Sequence, residues 1–378
     1  MHLIPLKKSQ FLRRLLWSVL SRLVLPLFPI GLNLWLLIED SPYADTFFWT
    51  YSIAIMGSTA TDFGIRFISY RSTRVSIRDV LPLKTALSII STAVVIVLYD
   101  TVSSTLENWC LFILLATPFL ASADPATHYL RARGKQYQLF LYSLLSWLIS
   151  TALVLIFPSA ALVTDFALLI LYANVSRFMI SNWYCKFRIS SYLHKPKASL
   201  VRSIQLWEGA SVALNFFRMR GIAVFYGIIH GEESLAKVGI LLAVAQKLSE
   251  LGVALYESGM RRQELSRSVP KPSWPFSLTL LGFALAVAYG AVELSESYAL
   301  IGILCGLFLI CSFLSHLLRL GLYEARSSDS AVIAGIGYVL IGTFAILLLH
   351  PGAASYIAAV TLSEIVYLLI LHHRYHRK

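Results

Sequence analysis

Long apolar stretches fill most of this sequence and decide what it can fold into. A helix that spans a membrane needs about 20 mostly apolar residues, whereas the strands of a membrane barrel appear as short alternating segments. The apolar stretches here are long, so they predict an all-α integral membrane protein with about twelve transmembrane helices. The expected helices lie near 15–38, 46–70, 80–99, 108–130, 137–157, 162–183, 205–229, 236–258, 276–292, 297–318, 331–349 and 353–373.

The composition excludes water as the main solvent of the folded chain. Hydrophobic residues make up 57% of it, charged residues 14%, and the mean hydropathy is +0.70. A soluble domain carries about 25% charged residues. The first apolar stretch is longer than the core of a signal peptide and lacks an A-x-A site, so it is expected to remain as the first helix.

Basic and acidic residues alternate from loop to loop, which predicts the orientation of the chain. Lys and Arg accumulate in the short cytoplasmic loops of membrane proteins. The basic groups on one side are Lys7, Lys8, Arg13, Arg14; Arg71, Arg74, Arg78, Lys84; Arg131, Arg133, Lys135; Lys186, Arg188, Lys195, Lys197, Arg202; Arg261, Arg262, Arg267, Lys271; Arg319, Arg326; and Arg374, Arg377, Lys378. The opposite loops hold Glu39, Asp40, Asp45, Asp100, Glu107, Glu232, Glu233, Glu293 and Glu296, with Lys237 as their only basic residue. Both termini are therefore expected in the cytoplasm, and the net charge of +12 does not require a nucleic-acid partner.

The loops are too short to hold a soluble domain, and the sequence lacks the motifs of several enzyme classes. There is no G-x-x-x-x-G-K-[ST] loop, which argues against a nucleotide-driven pump. The four cysteines, Cys110, Cys185, Cys305 and Cys311, show no metal-ligand spacing. No catalytic residues, metal or cofactor are expected.

Two short motifs recur at an offset of 188 residues. His128 and Arg131, at the inner end of the fourth predicted helix, match His316 and Arg319 at the end of the tenth. The stretch from Asp62 matches Glu250-Leu251-Gly252-Val253 at the same offset. Repeats of whole helix bundles are how many transporters build a binding site. The sequence thus predicts two six-helix lobes around a central cavity: 1–183, a cytoplasmic linker 184–204, and 205–378.

Polar residues form a stripe along the first helix of each predicted lobe. Spacings of three and four residues place the members of each stripe on one helical face. The stripes are Ser18, Arg22, Pro26, Pro29 and Asn33 in the first lobe and Glu208, Ser211, Asn215 and Arg218 in the second. Two arginine-bearing stripes facing each other would make a cavity that attracts anions.

Other buried cations have two interpretations each. Arg66 either faces the cavity or extends to the nearby headgroups, and Arg177 either faces the cavity or pairs with an acid on a neighbouring helix. Lys247 either contributes to the cavity or neutralises Glu250, which follows it by three residues. Arg220 lies about 160° around an α-helix from Arg218, so Arg218 is the preferred cavity residue.

Acidic residues within predicted helices are the candidates for coupling to a proton or a sodium ion. They are Asp62, Asp124, Glu208, Glu250, Glu257 and Glu364. Asp124 is followed by Pro125, and a proline frees a backbone carbonyl beside the carboxylate. A kinked helix with a structural carboxylate explains this pair equally well.

These features together resemble a family of lipid flippases. The resemblance rests on the 6+6 plan, on Asp62-Phe63-Gly64-Ile65-Arg66, on Tyr129-Leu130-Arg131-Ala132-Arg133-Gly134-Lys135, and on Asn215 with Arg218. The chain looks like the Wzx-type oligosaccharide-lipid flippases of the multidrug/oligosaccharidyl-lipid/polysaccharide exporter superfamily.

The resemblance implies a flippase in a bacterial inner membrane. Its partners would be an undecaprenyl-diphosphate-linked glycan, such as an O-antigen repeat unit, the membrane lipids, and a coupling proton or sodium ion. Basic residues that bind the substrate in this family are carried onto Arg22, Arg66, Arg218 and Lys247. The alternatives are a multidrug cation antiporter of the same superfamily and a membrane-bound glycan polymerase or acyltransferase.

Overall fold

The computed structural model describes most of the chain, in several segments. They are residues 8–61, 77–102, 107–132, 135–185, 210, 214, 217–231, 235–259, 299–324, 328–349 and 352–376. Several predicted features lie outside them, among them the ninth helix at 276–292, the linker 184–204 beyond residue 185, and the inner end of the second helix.

The described segments are helical almost throughout. The helices are α1 (Lys8–Ile38), α2 (Ala44–Ala60), α3 (Ile77–Val102), α4 (Asn108–Leu115), α5 (Thr117–Ala132), α6 (Gln136–Ile156), α7 (Leu162–Cys185), α8 (Ile222–His230), α9 (Leu235–Gly259), α10 (Ala299–Glu324), α11 (Ser328–Leu348) and α12 (Ala353–His376). One turn of π-helix, Phe217–Gly221, leads into α8. The expectation of a helical protein is confirmed.

Six of the described helices are long and apolar enough to cross a membrane. These spans are Leu81–Thr101, Asn108–Thr127, Gln136–Ile156, Leu162–Cys185, Asp329–Leu348 and Ala353–Arg374, and two shorter apolar stretches are Phe28–Ile38 and Leu300–His316. Large apolar side chains also lie exposed on their outer faces, including Ile89 and Val97 on α3 and Leu340 and Phe344 on α11. Exposed apolar belts suit a lipid solvent. The total of twelve helices and the position of the termini stay predictions.

The described chain divides into two compact units. The larger unit is Phe28–Lys237, and the smaller unit combines Met1–Leu27 with Val238–Lys378. The divisions fall inside α1 and near the start of α9, not at the predicted linker. The predicted lobe boundaries at 183 and 205 stay a prediction.

In the larger unit, α6 packs along α7 through a face of small hydroxyl side chains. Ser143, Ser146 and Ser150 are all buried and lie on one side of α6. Ser143 and Ser146 bond to carbonyls of their own helix, whereas Ser150 donates to the Leu169 carbonyl of α7 at 2.6 Å. Small residues allow membrane helices to approach closely, which explains this contact.

The helix predicted at 108–130 is broken in the structure at Ala116, between α4 and α5. Pro118 has no amide hydrogen to continue the backbone ladder, so a break is expected just before it. Both pieces pack against α7, and α5 also packs against α3. The break lets α5 place its own polar side chains toward α6 and α7.

The close contact of α2 with α3 depends on a glycine. A Cβ atom on Gly57 would lie 2.7 Å from Cγ2 of Val95, nearer than side chains normally pack. The Gly57 carbonyl also accepts a hydrogen bond from Ser91 Oγ at 2.7 Å. Gly57 therefore sets how near the two helices lie.

In the smaller unit, α12 packs against both α10 and α11. Thr361 Oγ1 donates to the Leu304 carbonyl of α10 at 3.2 Å, and the rings of Tyr338 and Tyr367 meet edge to face, 6.2 Å apart. Glu364 follows on the same helix and is 1% exposed. α12 thus carries an acidic side chain into the interior of this unit.

Candidate functional site

Arg177, on α7 of the larger unit, is a cation buried inside a membrane-spanning helix. Its side chain is 5% exposed, although it lies only about 12 Å along the helix from Cys185. A long side chain at that depth could extend to the headgroups, and the burial shows that Arg177 does not. Placing a charged side chain at mid-membrane costs about 2.5–3.5 kcal/mol on insertion scales, so its surroundings must compensate.

The Thr127 hydroxyl group of a neighbouring helix accepts a hydrogen bond from the Arg177 guanidinium, and a second hydroxyl group, of Tyr142, holds Thr127 in turn. Nη2 donates to Thr127 Oγ1 of α5 at 2.9 Å, and Thr127 Oγ1 lies 2.6 Å from the hydroxyl oxygen of Tyr142 on α6. Nε of Arg177 is buried and makes no hydrogen bond. Three helices therefore converge on this guanidinium and satisfy only part of its donors.

The packing around these hydroxyl groups is apolar. Tyr142 is fully buried in a cluster formed with Ala126, Leu130, Leu139 and Cys185, against which Ile180 and Tyr184 pack. Electrostatic interactions are stronger in such a low-dielectric interior than in water. The charge of Arg177 is thus poorly screened.

The turn of π-helix at Phe217–Gly221, called the π-turn below, supplies two more arginines to the larger unit. Arg218 is 5% exposed, and Arg220 lies half-buried with its guanidinium carbon 5.3 Å from the ring centre of Phe48 on α2. The π-turn packs against α2 and α8. π-turns inside helices often mark functional positions.

Tyr51 of α2 connects the two arginine positions electrostatically. Its hydroxyl group lies within the field of both Arg220 and Arg177. Among the side chains that the structure describes, no carboxylate lies within salt-bridge distance of Arg177. Arg177 therefore brings a positive charge into the described interior of the larger unit.

A hydrogen-bonded aromatic cluster anchors α2 close to these arginines. Trp49 is buried, and its Nε1 donates to the Val224 carbonyl of α8 at 3.2 Å. Its ring packs 5.2 Å from that of Tyr99, whose hydroxyl group contacts Thr50 Oγ1 at 3.1 Å. A side chain on Gly227 would collide with the Trp49 indole, so α8 approaches α2 through a glycine.

The residues predicted to bind substrate belong to both compact units. Arg218 lies in the larger unit, whereas Arg22 and Lys247 lie half-buried in the smaller one. Arg66 and Asn215 lie outside the described residues. Their common role stays a prediction.

The candidates for ion coupling also belong to both units. Glu364 is buried on α12, with Cys311 of α10 within its electrostatic reach. Asp124 and Glu250 lie on α5 and α9, but the structure does not describe their side chains. Asp62 and Glu208 lie outside the described residues.

The burial of one cation in the larger unit, Lys84, is not evident from the sequence, and the roles of two arginines are left open by it. Lys84, placed by sequence with the basic loop after the second helix, is 1% exposed inside α3. The sequence leaves Arg177 with two interpretations, and it ranks Arg220 below Arg218 only if the α-helix is uninterrupted. The detectable signal for Arg177 is a lone arginine in an otherwise apolar helix.

Comparison with known proteins identifies the fold. Neither a protein-family model nor a curated protein sequence matches this chain. Among solved structures, the eukaryotic MATE transporter AtDTX14 resembles this chain with a TM-score of 0.62 at 14% identity. The alignment covers 97% of this chain and 95% of AtDTX14. An outward-facing multidrug resistance MATE family transporter of the MOP superfamily has a TM-score of 0.61 at 14% identity, covering 98% and 95%.

A third solved structure with this fold is a MOP superfamily transporter from Pyrococcus furiosus. In that protein, reverse polarity of the binding pocket suggests a different function. Its TM-score is 0.56 at 13% identity, covering 98% of this chain and 96% of that one. These three proteins are transporters and not enzymes, and this chain has their fold.

Proposed function

We propose that this protein is a membrane transporter that works by alternating access. The observation that supports the proposal is the fold, which matches solved transporters over nearly the full length of both chains. Transporters of this kind move their repeats around a substrate site near the middle of the membrane. The long apolar helices with exposed apolar faces fit that use.

The first candidate substrate class is small drug-like molecules. Solved structures that resemble this chain include a multidrug resistance transporter, so a multidrug antiporter agrees with the comparisons better than an oligosaccharide flippase does. In this role an acid such as Glu364 would couple export to a proton or a sodium ion. Glu364 is the ion-coupling candidate whose burial the structure describes.

A specific observation supports a second candidate, the flipping of an undecaprenyl-diphosphate-linked glycan in a bacterial inner membrane. The described interior of the larger unit holds Arg177 and Arg218 without a carboxylate bonded to Arg177. A cationic interior repels organic cations and attracts diphosphates. A lipid tail can remain in the bilayer while the charged group passes through the protein.

Reconstitution into liposomes separates the two candidates. Purified protein would be tested for uptake of a radiolabelled organic cation driven by a proton or sodium gradient. In parallel, exposure of a lipid-linked sugar to an impermeant glycosidase would report flipping. Cation uptake supports the multidrug antiporter, and sugar exposure supports the flippase. If neither activity exceeds that of protein-free liposomes under any gradient, the transporter proposal is wrong.

A further inference from the structure

We propose that Arg177, Thr127 and Tyr142 form an oxyanion-binding site inside the larger unit, suited to a phosphate group or a phosphate ester. The inference rests on the second proposed function and deepens it, because the phosphate that it assigns to Arg177 has the chemistry of the diphosphate in a lipid-linked glycan. Its test measures phosphate binding without transport, so the site and the transport proposal can fail separately.

The described side chains leave several hydrogen-bond donors of Arg177 unused. A guanidinium has five N–H donors and stays protonated inside proteins. Within the described part of the chain, Nη2 donates one hydrogen bond, to Thr127 Oγ1, whereas the buried Nε donates none. The remaining donors form a planar fork of the kind that binds phosphate and carboxylate oxygens.

The absence of a carboxylate within salt-bridge reach, among the side chains that the structure places, makes an external anion the natural partner. Arg177 is 5% exposed, so bulk water does not solvate its charge. Arg220 lies near enough for both arginines to act on the hydroxyl group of Tyr51.

The hydroxyl groups hold the guanidinium in place. Thr127 comes from α5 and Tyr142 from α6, and their oxygens lie 2.6 Å apart. Thr127 is therefore fixed by Tyr142 while it accepts from Arg177. A guanidinium anchored through one nitrogen keeps its other edge oriented, which lowers the cost of ordering it when an anion binds.

The sign of a stability change distinguishes this site from a structural ion pair. Arg177→Met removes the buried charge and keeps a long apolar side chain. If the site is vacant in chloride buffer, no carboxylate is stranded, so the variant should melt at the same temperature as the wild type or higher. Sodium phosphate, compared with sodium chloride at equal ionic strength, should raise the melting temperature of the wild type by about 5 °C at a hundredfold excess over Kd. It should not raise that of Arg177→Met.

Arg374→Met is the control for the loss of an arginine charge, and Thr127→Val is a milder change at the site itself. Arg374→Met, on α12 of the smaller unit, removes the same charge and should keep the full phosphate shift. Thr127→Val removes the hydrogen bond to Nη2 and should weaken phosphate binding about tenfold, which is about 1.4 kcal/mol. This second variant tests the site even if Arg177→Met does not fold.

The source of the anion is determined in a parallel measurement. Wild-type protein in nanodiscs of phosphatidylcholine, with or without phosphatidic acid, would be analysed by native mass spectrometry for a retained anionic lipid. Retention that Arg177→Met abolishes identifies a lipid headgroup, and a phosphate shift without retention identifies a soluble phosphate.

Two outcomes would overturn the site. One is a phosphate shift of equal size in the wild type and Arg177→Met. The other is a lower melting temperature for Arg177→Met in chloride that Asp124→Asn restores, since that rescue means that Arg177 pairs with an acid of its own chain.

Discussion

Buried cations are the residues that set this protein apart from an ordinary helical bundle. Arg177 and Arg218 are 5% exposed and Lys84 is 1% exposed, all in the larger unit. Each charge must be offset within the protein or by a ligand, because hydrocarbon cannot solvate it. Such positions are where single substitutions separate a functional role from a structural one.

Substitutions of Arg218 test whether a buried arginine contacts the substrate. By sequence it lies about fourteen residues into its predicted helix, roughly 20 Å from the cytoplasmic end, and its side chain is buried. If it contacts an anionic substrate, Arg218→Ala should abolish transport of the lipid-linked sugar while membrane protein abundance stays near normal. Arg218→Lys should restore part of the transport, since a point charge still attracts phosphate.

A structural role for Arg218 has a different signature. Arg218→Ala would then leave a buried acid unpaired and lower abundance, and removing that acid as well would restore it. Abundance and sugar exposure should therefore be measured on the same preparations. An abundant Arg218→Ala protein with wild-type transport would exclude Arg218 from the substrate path.

At the scale of elements, the sequence predicts helices better than their irregularities. Apolar length alone locates α3, α6, α7, α11 and α12 within a few residues, because a spanning helix has a fixed length requirement. It does not locate the break at Ala116 or the π-turn at Phe217–Gly221. The break follows from the missing amide hydrogen of Pro118, and the π-turn depends on tertiary packing; hydropathy reports neither. The π-turn changes which residues share a face, and that is why the ranking of Arg218 over Arg220 has no firm basis in the sequence.

The contact of α2 with α3 gives a prediction for these elements. Gly57→Ala should lower the melting temperature, because its new methyl group meets Val95 Cγ2 and overpacking costs about 1–3 kcal/mol. Val95→Ala in the same chain should recover much of the loss by opening space for it. The two single variants and the double variant, melted in detergent and followed by circular dichroism, give the coupling energy.

Gly31→Ala on α1 is the control for this series. No described atom lies within 4 Å of the Cβ that it would add, so it should be neutral or stabilising, as alanine favours a helix over glycine by about 0.5–1 kcal/mol. Strictly additive effects at Gly57 and Val95 would show that α2 and α3 do not approach each other this closely in detergent solution.

For the whole molecule, the alternation of charge in the loops remains the strongest evidence for orientation. The fold comparison supports a transporter architecture, but the pattern of Lys and Arg is what predicts which side is cytoplasmic. The side of the membrane on which each loop lies can be predicted from sequence, because each spanning helix carries the chain to the opposite side.

Thiol labelling tests this orientation. In a cysteine-free background, single cysteines at Glu232 and Glu296 should react with an impermeant reagent added to intact cells, and cysteines at Lys197 and Arg267 should react only after permeabilisation. The native Cys110, Cys185 and Cys305 are buried and Cys311 is partly exposed, so Cys311 is the native cysteine most in need of removal. Reaction at Lys197 or Arg267 in sealed cells would contradict the predicted twelve-helix topology.

Trp49, on α2, contacts α8, and its fluorescence can therefore report on that contact. Its indole is 2% exposed, bonded to Val224 and packed against Tyr99, whereas Trp35 and Trp183 are 56% and 75% exposed. Emission from Trp49 should therefore lie at shorter wavelength than that of the exposed tryptophans and resist quenching by iodide. In a variant that keeps Trp49 and carries phenylalanine at the other seven of the eight tryptophans, a conformational change that separates α2 from α8 should therefore appear as a red shift of the emission.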